Sequence, residues 1–260
     1  MIKRFFKSII VAFSLYSRIP MPRFQWASDD MKYHLCFFPW VGAVIGLAEY
    51  GWKFAAISLN IGPVLYYALA LAFPLLLTGD FHMDGFMDTM DALHSYQDAA
   101  KKREILKDPH VGAFAVISLA VYMLLAVGFA SQVKTIAAVR IVAISFFISR
   151  CLSGLSVTFF PKSKKEGMLY TEASAGNSKI VGISLVVQLV IGGALMLYVS
   201  LPESLAAVFA LVGMLITFVY YYFMSKKQFG GISGDISGFF VVVSELAALI
   251  GVALAGVFNL

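Results

Sequence analysis

Charge is scarce in this sequence. Only 13% of its residues are Asp, Glu, Lys or Arg, against roughly a quarter in a water-soluble domain. With 60% hydrophobic residues, that shortage excludes an ordinary soluble enzyme and places the chain in lipid. Cysteine is scarcer still. Cys36 and Cys151 stand far apart in apolar settings, which excludes a disulfide framework, a zinc site and a redox pair. Low-complexity sequence, solenoid-period repeats and an inverted match between the halves are also missing. The net charge of +5 does not imply a nucleic-acid partner, because Lys and Arg sit in short segments between apolar runs and form no continuous stripe.

Apolar length is what the sequence has in abundance. A membrane span needs about 20 apolar residues, and seven segments qualify, at about 36–58, 63–79, 112–130, 136–159, 179–199, 205–224 and 237–259. Asn60-Ile61-Gly62-Pro63 and Leu201-Pro202-Glu203 supply reversals. The stretch before the first span lacks a small-residue cleavage site. Its Phe5, Phe6, Ile9, Ile10 and Phe13 fall on one side, and Lys3, Arg4 and Lys7 break the other. Residues 1–35 therefore read as an interfacial segment with an amphipathic helix. Segments 1–35, 80–111, 160–178 and 225–236 carry six, four, three and two Lys or Arg residues, whereas the opposite turns carry only Lys134. That bias puts the N-terminus in the cytoplasm and the long loops with it. The expected fold is a single all-α domain over 1–260, a polytopic membrane helix bundle of about seven transmembrane helices.

The most informative stretch is Thr78-Gly79-Asp80-Phe81-His82-Met83-Asp84-Gly85-Phe86-Met87-Asp88-Thr89-Met90-Asp91. Asp84, Asp88 and Asp91 recur at i, i+4 and i+7, which stacks three carboxylates on one helix face, with Asp80 one turn earlier. Like charges so spaced repel, so a cation is the natural complement; hard oxygen ligands suit Mg²⁺, Mn²⁺ or Ca²⁺. The plainer alternative is a solvated acidic face. His82 is read as a metal ligand, a proton carrier or a hydrogen-bond partner. Gly79 and Gly85 allow close approach of backbone or ligand. Residues 80–111 thus form an acidic and basic catalytic segment, because Lys101 to Arg103, Lys107, Asp108 and His110 follow the acids, as a metal-bridged phosphate needs. For Lys101 to Arg103, membrane anchoring explains the charges equally well.

Within the spans, Glu49 and Lys53 are expected to neutralise each other at i, i+4, and Arg150 to reach a phosphate or snorkel. The Gly-rich loop 225–236, with Gly230, Gly231, Gly234 and Asp235, offers backbone N–H groups to an anion beside a helix N-terminus.

The acidic run resembles the TGGxHxDGxxDTxDG signature of the cobalamin synthase family, the adenosylcobinamide-GDP ribazoletransferases. Arg18-Ile19-Pro20-Met21-Pro22, Phe38-Pro39-Trp40-Val41-Gly42, Lys107-Asp108-Pro109-His110-Val111-Gly112, and Gly234-Asp235 with Glu245 match in the same order. Asp80 and Ala92 stand where the family has glycines, and Pro109-His110 where Ser-Arg is commoner. The resemblance implies a multi-pass enzyme of the bacterial or archaeal cytoplasmic membrane with its site facing the cytoplasm. It implies Mg²⁺-dependent joining of adenosylcobinamide-GDP with α-ribazole or its 5′-phosphate, releasing GMP. On that basis Asp80, Asp84, Asp88 and Asp91 would hold metal. Asp84, Asp88 and His82 would be catalytic, and Lys107, Asp108, His110, Arg150, Gly234 and Asp235 would contact substrate. Membrane lipid is the surrounding partner, and a homo-oligomer is compatible with the sequence. A CDP-alcohol phosphotransferase lacks support because the Ala-Arg element of that family is missing, and a cation transporter because the acids do not lie at mid-membrane.

Overall fold

The computed structural model describes residues 2–163, 168–201 and 204–258. Lys164, Lys165 and the reversal at Pro202-Glu203 lie outside them. Among the described residues eleven α-helices follow one another: α1 (Ile2–Tyr16), α2 (Phe38–Ser58), α3 (Pro63–Thr78), α4 (Phe81–His94), α5 (Ala99–Ile105), α6 (Ala113–Ala130), α7 (Ile136–Phe159), α8 (Met168–Ala175), α9 (Ser178–Val199), α10 (Ser204–Phe229) and α11 (Gly234–Val257). Among the described residues the only β pairing is an isolated bridge between Lys162 and Ile232. The protein is a polytopic all-α membrane bundle.

Among the described residues six helices, α2, α6, α7, α9, α10 and α11, are long and apolar enough to cross a membrane. The pair α3 and α4 makes a seventh candidate bent by 96°. With 16 residues, α3 covers only about 24 Å at 1.5 Å per residue, short of the roughly 30 Å hydrocarbon core. The bend follows from local chemistry. Gly79 closes α3 at φ 77 and Asp80 precedes α4 at φ 68, two successive left-handed residues that no straight helix tolerates.

Polar caps open α5, α7, α9 and α11: Asp98, Thr135, Asn177 and Ser233 each accept from backbone N–H groups of the following turn. At the centre, α7 packs against α2, α9 and α11, and α11 against α10 and α4. Small residues set these distances: a Cβ on Gly42 or Gly46 would collide with the α7 backbone at Phe146 or Ala143. Val116, Ile117, Val121 and Leu124 on α6 and Ile183, Val187 and Ile191 on α9 are exposed, the surface expected to face lipid. In α1, Phe5 and Phe6 are exposed while Val11, Ala12 and Tyr16 are buried against the bundle, as an interfacial helix requires. Lys7 pairs with Asp30 at 3.1 Å, tying α1 to the turn before α2.

The structure corrects one charge pair. Lys53 does not neutralise Glu49; its ammonium lies over the Tyr66 ring, 4.7 Å from the centroid, and Glu49 Oε1 is buried without a hydrogen-bond partner. One helical turn separates them along α2, and Lys53 turns toward the start of α3. Glu49 instead lines an internal cavity of about 110 Å³ with Arg150, Glu245 and Tyr122.

Candidate active site

The acid ladder forms. All three of Asp84, Asp88 and Asp91 lie on α4, which turns 96° from α3 and carries its carboxylates on an exposed to half-buried face. Its other face buries Met83, Phe86, Thr89 and Ala92. The Asp88 carboxyl is pushed up to about 6, first by burial and then by the neighbouring carboxylates of Asp84, Asp235 and Asp91. Four acids therefore share one electrostatic environment.

Asp235 reaches this group through a glycine. A Cβ on Gly85 would lie 2.6 Å from the Asp235 carbonyl oxygen and 2.7 Å from its Cα, and a Cβ on Gly238 would lie 3.0 Å from the His82 carbonyl oxygen. Helices α4 and α11 thus run antiparallel with their backbones in direct contact. At the other end of the ladder, the Asp91 carboxylate lies where a Cβ of Gly112 would be, immediately before α6. Gly112→Ala is therefore expected to move Asp91 off this seat; displacements of about 1 Å in a reacting constellation cost on the order of a hundredfold in rate, to be read as turnover of folded protein.

Among the described residues, Asp80, Asp84, Asp88 and Asp91 make no ion pair with Lys or Arg. Among the described residues no three His, Cys, Asp or Glu side chains already stand together as a finished metal shell. The donor chemistry still fits a hard divalent cation, because Mg²⁺ commonly binds through one or two carboxylates and completes its shell with water and substrate phosphate.

The remaining candidates divide. His82 is buried beneath α4, beside Phe38 and Phe81; at 100° per residue it lies about 200° from Asp84 around the helix, away from the acid face. Arg150 is 1% exposed and pairs with Glu245, which also accepts from Ser149. That pair sits under α4, lining the same internal cavity as His82. Lys107, Asp108 and His110 are exposed. The His110 backbone N–H and imidazole hold the Asp108 carboxyl below its usual range, and the turn leads into Gly112, against which the Asp91 carboxylate rests. Of the basic cluster, Lys102 donates to Gln228 Oε1 at 2.6 Å, Arg103 to the Phe229 carbonyl at 3.0 Å, and Lys101 pairs with Glu104. Lys102 and Arg103 thereby moor α5 to α10, while the Lys101 pair stays within α5. In the Gly-rich loop the amides of Gly230, Gly231 and Ile232 donate to Lys226, Ser225 and Pro161, so they are not offered to an anion. Gly234 opens α11, and Asp235 alone of this segment meets the ladder.

Compared with known proteins, residues 8–253 match the profile of CobS, cobalamin-5-phosphate synthase. The chain belongs to the cobalamin-5-phosphate synthase family. An adenosylcobinamide-GDP ribazoletransferase of Lachnoclostridium phytofermentans is 41% identical over 97% of this chain and 95% of its own length. One of Clostridium perfringens SM101 is 34% identical over 98% and 99%, and one of Clostridioides difficile 28% over 95% and 97%. No solved structure matches the chain.

One residue near the ladder of this cobalamin-5-phosphate synthase relative was not singled out by spacing. Arg18 lies with its side chain across Gly79, where a Cβ would be 2.5 Å from Nε, and its backbone N–H donates to the Leu77 carbonyl at 2.8 Å. It stands more than sixty positions before the acids, so no local pattern announces it. The signal available was its place in the Arg18-to-Pro22 element and the glycine at 79.

Proposed function

We propose that this chain joins adenosylcobinamide-GDP to α-ribazole, or its 5′-phosphate, at the acidic face of α4 and releases GMP. The observation that carries this reading is the continuous group of four carboxylates, three from α4 and one from α11, held by the Gly85 contact in a membrane-embedded chain of this family. A ribose hydroxyl oxygen attacks the corrin-side phosphorus, that phosphorus forms a new P–O bond, and its bond to the GMP oxygen breaks. Asp88, half-buried between Asp84 and Asp91 on the same face, would take the hydroxyl proton. Asp84 and Asp91, with Asp80 at the rim, would hold Mg²⁺, which when bound supplies neutralisation of the diphosphate and of the departing phosphate. Asp235 fixes the far wall of the site. His82, from beneath, packs α4 on α11 and positions the ladder. The positive-inside bias places this face in the cytoplasm.

Purified protein in liposomes, given adenosylcobinamide-GDP, α-ribazole and Mg²⁺, is expected to release GMP, to stop on chelation and to recover when Mg²⁺ is restored. Folded wild-type protein that releases none under these conditions sinks the assignment.

A further inference from the structure

Most of the cations that the sequence pattern set beside the acids are engaged elsewhere: Lys102 and Arg103 moor α5 to α10, Lys101 pairs with Glu104 and Arg150 pairs with Glu245. Lys107 is exposed in the turn before α6, toward the Asp91 end of the ladder. At the Asp80 end the cations come from the first segment. Between the end of α1 and the turn before α2 lies a cleft of about 450 Å³, lined by Ser14, Ser17, Arg18, Arg23, Phe24 and Trp26 among others. Among the described residues neither Arg18 nor Arg23 makes an ion pair, and both are exposed to the cleft's solvent side.

We propose that this cleft binds the guanosine monophosphate half of the substrate, with Arg18 and Arg23 on its phosphate and Trp26 against its base. The inference rests on the reaction proposed above and assigns its leaving group a site. Three observations converge on it. Guanidinium groups bind phosphate oxygens through paired N–H donors, a fit that ammonium groups lack. Trp26 is 41% exposed and its ring lies 6.4 Å from that of Phe24, an aromatic wall on which a purine can stack. Finally, the cleft is joined to the acids. Arg18 lies across Gly79, whose φ of 77 and missing side chain make room for it. From Asp80 the helix rises only about 6 Å to Asp84. A diphosphate can therefore reach from Arg18 to the ladder, one phosphorus at each. This arrangement also gives the departing GMP compensating positive charge as the P–O bond breaks.

Equilibrium binding of GMP itself, titrated into wild-type protein in detergent without the second substrate, tests the proposal independently of turnover. Arg23→Gln and Trp26→Ala are both at exposed positions, so the folded protein is retained. Each is expected to weaken GMP binding about tenfold or more. The KM for adenosylcobinamide-GDP should rise in parallel while the KM for α-ribazole stays put. Arg23→Lys should recover part of the loss and Arg18→Gln should reproduce it. GMP affinity and KM at wild-type values in Arg23→Gln and Trp26→Ala would overturn the cleft assignment while leaving the reaction intact. A wild-type protein that binds GMP through these residues but never releases it from adenosylcobinamide-GDP would support the cleft and sink the reaction.

Discussion

Asp84→Asn is expected to reduce GMP release by on the order of 10³-fold, the scale on which a preorganised electrostatic contact acts in a transition state. A carboxylate in the first turn of α4, without a Lys or Arg partner among the described residues, has cation binding as its use. An amide of the same shape cannot neutralise that cation. Folding should be nearly indifferent. The substitution gives up a favourable interaction with the helix N-terminus of about 0.3–1 kcal/mol but relieves repulsion from Asp88, a few tenths of a kcal/mol per pair. Activity and melting temperature should thus separate, which a merely structural aspartate would not allow. Asp80→Asn supplies the comparison, because asparagine accepts the left-handed backbone at φ 68 and only charge is altered. Near-wild-type release by Asp84→Asn, measured by chromatography of GMP at saturating Mg²⁺, would discard the ladder as the metal site.

Glu245→Gln is expected to be the most destabilising conservative change in the spans, by about 3–5 kcal/mol, because it leaves Arg150 charged, buried and unmatched. Arg150 is 1% exposed, and among the described residues its Nε has no partner and Glu245 is the one acid it pairs with. The paired change Arg150→Met with Glu245→Leu should recover most of that loss, since an apolar pair avoids the desolvation of both ions. Thermal unfolding in detergent of the two singles and the double gives the coupling directly. If Glu245→Gln unfolds at the wild-type temperature, the pair does not hold α7 to α11. If the double variant is folded yet releases no GMP, Arg150 has a role at the phosphate after all.

The sequence was most legible where one residue's neighbours settle its fate. Every span appears within a few residues of its apolar run, because lipid leaves the backbone no alternative to a helix. The i, i+4, i+7 acids form their face because that spacing is a local property of the helix. Long-range choices were hidden. Glu49 and Lys53 are in register along α2, yet Tyr66 from another helix claims the lysine. Lys102 and Arg103 look like phosphate ligands until α10 is seen beside them. Arg150 had two plausible destinations in sequence, and the acid that captures it lies 95 positions away. The glycines of 230 and 231 read as an anion cradle, but Gly231 is required because Pro161 and Lys162 occupy the space of a side chain.

The 96° turn between α3 and α4 also decides how substrate and enzyme meet. Had α4 continued along the axis of α3, it would have left the side of α11, and Gly85 would have lost the Asp235 backbone it touches. Turned at Gly79 and Asp80, α4 lies against both α11 and α6. One corner in the chain thus gathers acids from two segments about 150 positions apart into a single cluster, so a substrate meets them as one surface and not as two.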